Sequence, residues 1–275
     1  MIKKILVGLG GTPFSDVAIS RSIELAKIHN AHITGVSVLD LKKIRNVGPV
    51  PLGAGYYAEK LKEKRFTFSK ETIENAIQCF KDRCHKSEVS YSLQYEKSNA
   101  FDILIKESKH HDIIILGRRS VLEYTINDDP KDTILSILRE GGYPIIANAE
   151  HYGKINKVLI AYSGSVDSAK SLKRFFQLNI YQECKFKIVF FGEKNEDALA
   201  MMSDAANFCN SYGIEVESEI IDKNPVTGII ECAKSWDADM LVMGKSSRNV
   251  ILRKIFGDTL IDIFKKTNIP IFLSQ

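Results

Sequence analysis

Two stretches of the chain carry residue types that suit anion chemistry. The first is the turn Ser163-Gly164-Ser165, which follows an apolar run and offers two hydroxyls beside a glycine. The second runs from Gly244 to Thr259 and holds Lys245, Ser247, Arg248, Arg253, Lys254 and Gly257-Asp258-Thr259. Glycine lets a backbone approach a phosphate without an intervening Cβ, and the free amides at a helix start point toward an anion. Four cations against the single Asp258 reinforce that chemistry. Asp258 opposes it, because a carboxylate competes for the same donors unless Mg2+ bridges the two.

These stretches recur in degraded form earlier in the chain. Lys4-Ile-Leu-Val-Gly-Leu-Gly-Gly-Thr-Pro-Phe-Ser-Asp-Val-Ala-Ile19 aligns without gaps on Lys157-Val-Leu-Ile-Ala-Tyr-Ser-Gly-Ser-Val-Asp-Ser-Ala-Lys-Ser-Leu172. Asp112-Ile-Ile-Ile-Leu-Gly117 aligns on Asp239-Met-Leu-Val-Met-Gly244, and each copy closes on a Pro-containing apolar run, Tyr143-Pro-Ile-Ile146 and Ile269-Pro-Ile-Phe-Leu273. Matched elements in the same order indicate a tandem duplication, with one domain over 1–150 and a second over 154–275. The counterpart of the cationic loop, residues 117–132, sets Arg118, Arg119 and Lys131 against Glu123, Asp128, Asp129 and Asp132, and lacks the later glycine. A phosphate meets net repulsion there, so the second copy is the expected anion site.

The elements that must hold these turns alternate. In the second copy the pattern predicts strands at 157–162, 186–191, 215–221, 239–243 and 269–273, with helices at 166–178, 195–212, 225–236 and 256–267. The strands are apolar on both faces, as in Met240-Leu-Val-Met243, which fits burial between two helical layers. Strand–helix alternation with short connections implies right-handed crossovers and a parallel sheet. In the first copy strands fall near 3–8, 32–39, 88–95, 112–116 and 144–147. An inserted loop over 41–56, a candidate lid, precedes a long helix near 57–87 whose Ile73, Ile77, Phe80 and Cys84 share a face. In such sheets ligands sit beyond the carboxyl ends of the strands, where the two candidate stretches would meet.

Composition narrows the function class. The 275 residues carry 38 basic and 34 acidic side chains, a net charge of +4, with 22 basic and 19 acidic residues in 1–150. Neither half has the basic excess of a nucleic-acid binder. Five cysteines without a C-x-x-C pair suggest neither a disulfide framework nor a zinc site. No apolar run reaches the ~18–20 residues that span a bilayer, so a soluble cytoplasmic protein without a membrane or nucleic-acid partner is expected. His110-His111, His29 and His32 read as surface histidines, not metal ligands.

The second copy resembles the universal stress protein (Usp) family, whose nucleotide loop reads G-x2-G-x9-G-S/T before the last helix. Here Gly244, Ser247 and Gly257 keep the spacing, with Ser247 in place of the second glycine and Asp258-Thr259 where Ser or Thr is usual. The turn after strand one is Ser163-Gly164-Ser165 (Gly10-Gly11-Thr12 in the first copy) where nucleotide-binding members show Asp-Gly-Ser. The resemblance covers both halves. It implies two tandem Rossmann-like α/β domains of the HUP type, each a five-stranded parallel sheet between helices. It implies an adenine nucleotide, ATP, ADP or AMP with or without Mg2+, contacting Ser163, Gly164, Ser165, Gly244, Ser247, Gly257, Asp258 and Thr259, with the base near Phe191 and the ribose near Met243. It also implies a stress-response sensor without catalysis, and pairing of the two domains in place of, or alongside, a homodimer. Two alternatives stay open. One is a tandem protein that has lost nucleotide binding and serves as an interaction protein or takes another small ligand. The other is an enzyme, because Ser163-Gly-Ser-Val-Asp-Ser168 is similar to the S-G-G-x-D-S loop of ATP pyrophosphatases. No nucleophile–base set is readable, so at most slow ATP hydrolysis is expected.

Overall fold

The computed structural model describes residues 1–39, 41, 44, 47–48, 50, 53–97, 100–118, 142–181, 183–244, 263 and 266–274. By contacts the chain divides into two compact units, Lys3–Gly141 and Gly142–Gln275 together with Met1–Ile2.

The first unit runs β1 (Lys4–Gly8), α1 (Pro13–His29), β2 (His32–Val38), α2 (Gly55–Lys86), β3 (Tyr91–Glu96), α3 (Ala100–Ser108) and β4 (Ile113–Gly117). Its described strands pair in parallel in the order β3-β2-β1-β4. Every residue of β4 is buried, as its Ile-Ile-Ile-Leu run requires of a strand covered on both faces. The long helix α2 buries Ile73, Ala76, Phe80 and Cys84, so Ala76 takes the place expected for Ile77, which is half-buried.

The second unit runs β5 (Ile145–Asn148), β6 (Lys157–Ala161), α4 (Val166–Leu178), β7 (Lys185–Phe191), α5 (Glu196–Asn210), β8 (Val216–Ile221), α6 (Pro225–Ser235), β9 (Met240–Gly244) and β10 (Ile271–Ser274). Five strands, β10-β9-β6-β7-β8, are parallel. The sixth, β5, pairs antiparallel with β10 through Ile145, Ile146 and Ala147 opposite Leu273, Phe272 and Ile271. Residues 142–150, which the repeat aligns with the first copy, group by contacts with the second unit. The helix expected over 256–267 lies almost wholly outside the described residues. Among those described, no helix is long and apolar enough to cross a membrane.

The duplication is visible in backbone detail. Thr12 and Ser165 are N-caps of α1 and α4, each accepting from the amide three residues on. Asn30 and Asn179 close the same helices in the left-handed region, at φ 52° and 55°. Asp112 Oδ2 accepts from the amides of Lys3 and Lys4 at 2.7 and 2.9 Å, and Asp239 Oδ2 from those of Asn156 and Lys157, both at 2.9 Å. The aspartate before the fourth strand of each copy therefore fixes the start of that copy's first strand.

Candidate functional site

In the second unit the carboxyl ends of β6, β7 and β9 open into a cleft of about 190 Å³. Its floor is Ala161, Met243 and Gly244, its apolar wall Phe190, Phe191, Pro225 and Ile229, and its polar rim Tyr162, Ser163 and Ser168. No charged side chain lines it among the described residues.

The rim is set by the turn into α4. Gly164 sits at φ +69°, the same value as Gly11 in the first copy, which a side chain rarely adopts. Met201 of α5 lies over Gly164, and a Cβ there would meet its sulfur at 2.2 Å. Ser163, Ser165 and Ser168 form a closed triangle of hydroxyls at 2.9, 3.2 and 3.2 Å. The Ser168 amide donates to Ser165 Oγ at 3.2 Å, and Ser168 Oγ donates to the Ser165 carbonyl at 2.9 Å. Among the described residues none of these hydroxyls has a histidine or a carboxylate as hydrogen-bond partner. The first copy repeats the pattern with Thr12 and Ser15, 3.2 Å apart, and the Gly10 amide donating to Ser15 Oγ.

The floor is tight. A Cβ on Gly244 would lie 2.5 Å from the Asp167 carbonyl oxygen and 2.6 Å from the Ser168 amide nitrogen, so the end of β9 runs directly against the first turn of α4. The Met243 carbonyl accepts from Ser171 Oγ at 3.0 Å, which ties the same two elements together. On the wall, a Cβ on Gly228 of α6 would fall 2.4 Å from the Phe191 ring, so the ring is seated on that glycine. Tyr162 remains a neutral phenol well into the alkaline range, because burial and then the Asp204 carboxylate push its ionisation up.

Of the residues expected at the site, Ser163, Phe191, Met243 and Gly244 line one cleft, with Gly164 and Ser165 in the turn that forms its rim. Ser247, Gly257, Asp258 and Thr259 lie outside the described residues, as do Lys245, Arg248, Arg253 and Lys254. Sequence reasoning missed Tyr162, Ser168, Phe190, Pro225 and Ile229. Ser168 had a signal: it aligns on Ser15, and both hydroxyls bond back to the turn. The apolar wall had none, since its residues also fit an ordinary core pattern.

The histidines of the first unit need a correction. His29 is buried, and His111 and His32 are half-buried and hydrogen-bonded. His111 Nδ1 donates to the Glu107 carbonyl at 2.6 Å and its Nε2 lies 2.8 Å from Thr34 Oγ1. Ser92 links Thr34 to His32 Nε2, and His32 Nδ1 lies 2.8 Å from Ser90 Oγ. Burial is the first cause lowering both imidazole pKa values; the Lys4 charge adds to it, while for His111 the Glu107 carbonyl and carboxylate oppose it.

Comparison with known proteins identifies the family and the fold. A sequence model of the universal stress protein family matches residues 1–135 and 154–274. A universal stress protein of Synechocystis sp. is 23% identical over 283 aligned positions, spanning 98% of this chain and 99% of its own. The crystal structure of a universal stress protein from Archaeoglobus fulgidus superposes with a TM-score of 0.69 at 16% identity, covering 99% of this chain and 98% of that one. A family protein from Arabidopsis thaliana, solved with AMP bound, matches 43% of this chain and 90% of its own at 16% identity and a TM-score of 0.36.

Proposed function

This chain belongs to the universal stress protein family, and from that membership we propose that its second copy receives an adenine nucleotide and acts as a non-catalytic sensor or regulator. One observation carries the reading. The cleft at the ends of β6, β7 and β9 joins an apolar, uncharged slot to the first turn of α4, and Gly244 keeps the two in contact where any side chain would part them. A slot of about 190 Å³ suits a base and part of a sugar, being smaller than the roughly 300 Å³ at the low end of drug-sized pockets. The base would lie along Phe190, Phe191, Pro225 and Ile229, and the ribose by Met243 and Gly244. The phosphates would leave the slot toward Ser163-Gly164-Ser165 and the loop of Lys245, Ser247, Arg248, Arg253, Lys254, Gly257 and Thr259. Mg2+ would reconcile Asp258 with a phosphate. Among the described residues the serine triangle has no base bonded to it, which supports binding over transfer chemistry.

A second reading is favoured by the same triangle. Three hydroxyls already bonded to one another have less to offer a phosphate, as in a tandem protein that has given up nucleotide and takes another small ligand in the slot. Calorimetric titration of the full chain with ATP and AMP, with and without Mg2+, separates the two. The first reading expects saturable binding that disappears in Ser163→Trp, an exposed position at the cleft mouth, while the far-ultraviolet spectrum is unchanged. No saturable binding under either condition supports the second.

A further inference from the structure

In each copy a helix between the second and third strands packs on the glycine of the turn after the first strand. In the first copy that helix is α2, and it meets Gly11 with its own main chain. A Cβ on Gly11 would lie 2.9 Å from the Thr72 carbonyl oxygen and 3.4 Å from the carbonyl carbon. In the second copy the helix is α5, and a side chain alone makes the contact. A Cβ on Gly164 would lie 3.2 Å from Met201 Cγ and closer still to the sulfur. Gly164 thus gives the thioether a flat seat, between the serines whose hydroxyls hold the turn. Main chain cannot leave such a seat, whereas an unbranched side chain with three rotatable bonds can.

The five methionines differ in how far solvent reaches them. Met202, Met240 and Met243 are at most 4% exposed, and Met1 is the first residue of the chain. Met201 is half-buried, one position round the helix from the packed face of Ala198, Met202, Ala205 and Cys209. It therefore combines access with a place against the rim of the cleft. Oxidation of a thioether gives a sulfoxide, a polar and chiral group in place of an apolar one, and exposure governs where it happens. A sulfur lone pair attacks one oxygen of hydrogen peroxide, the S–O bond forms as the O–O bond breaks, and the departing hydroxide takes the remaining proton and leaves as water. Sulfur loses two electrons and the peroxide gains them. We propose that Met201 is an oxidation site for small peroxides, and that its sulfoxide loosens the turn into α4. The new oxygen is a strong acceptor set beside Ser163 and Ser165, and it draws their hydroxyls out of the triangle they make with Ser168. Its partial negative charge also opposes an anion at that turn. This last consequence rests on the nucleotide reading above; the modification does not.

Limiting hydrogen peroxide on the full chain, with the oxidised positions read by fragmentation mass spectrometry, tests this. Met201 is expected to gain an oxygen before Met202, Met240 and Met243. As it does so, the urea midpoint of the wild type should fall, and its affinity for AMP should weaken on the order of fivefold. Met201→Leu keeps an apolar group over Gly164 and should show neither change under the same treatment, although its Met1 still oxidises. Met201→Gln sets a polar acceptor there and should start at the midpoint of the oxidised wild type. Methionine sulfoxide reductases, one for each epimer, should restore the wild type. Oxidation that reaches Met202, Met240 or Met243 as fast as Met201 overturns the proposal. So does a midpoint that stays put once Met201 is fully oxidised, or one that falls equally in Met201→Leu. A chain that binds no AMP before oxidation contradicts the proposed function instead, and the mapping and urea midpoints still decide this inference.

Discussion

At the scale of single residues, Gly244 is the most constrained position in the cleft. Its missing Cβ is what lets β9 touch the start of α4, and the atoms it would strike are backbone, which cannot rotate away. Gly244→Ala is therefore expected to destabilise the chain by about 1–3 kcal/mol and to weaken nucleotide binding; paired urea melts and titrations would check both. An unchanged melt would mean that the strand end and the helix are not in contact. Ser165→Ala removes an N-cap and should cost about 1 kcal/mol in the same assay. The histidine chain in the first unit gives a prediction of opposite character. The Glu107 carbonyl can only accept, so His111 donates from Nδ1; with both rings neutral, Thr34 donates to His111 Nε2, Ser92 to Thr34, His32 Nε2 to Ser92, and Ser90 to His32 Nδ1. Burial disfavours the charged form of each imidazole, so both pKa values are lowered in the folded state. Because the unfolded chain takes up these protons first, stability is full above pH 6.5 and is lost as pH falls through that value toward the lowered ones. Urea midpoints should drop between about pH 7.5 and 5.5, and less so in His111→Gln; equal slopes for variant and wild type would contradict the network.

At the scale of elements, the strands and helices were legible because their signals are local. Thr12-Pro13 and Ser165 start helices where the capping chemistry says they should, and the doubly apolar strands could belong only to a covered parallel sheet. The repeat itself disclosed Asp112 and Asp239, though not their task of gripping the first strand. Asp239→Ala should cost roughly 1–3 kcal/mol by orphaning two amides, and Asp112→Ala a similar amount; neither should alter nucleotide affinity, because both lie at the amino ends of their strands. The site was half legible. Hydroxyls and glycines announce a turn, whereas Phe190, Pro225 and Ile229 look like any buried apolar residue until the sheet brings them to one edge. The direction of the pairing made by the Pro-containing strands was not legible. Ile145–Asn148 has the composition of a strand, but only backbone register shows it antiparallel to β10.

At the scale of the whole molecule, two copies of one architecture have diverged in chemistry. Both keep the glycine at φ +69°, the hydroxyl cap and the aspartate brace, which are requirements of the fold. They differ in the loop after the fourth strand, where the second copy collects cations and the first collects acids. One nucleotide per chain is therefore expected. A nucleotide at a hundred times its dissociation constant should raise the unfolding free energy by about 2.7 kcal/mol. Photolabelling of the full chain with an azido-adenine nucleotide, followed by peptide mapping, tests the central claim most directly. The account expects saturable label, competed by unmodified ATP or AMP, on the peptides containing Tyr162, Phe190, Phe191 and Ile229. Label confined to the first copy, or label that no nucleotide competes away, would contradict it.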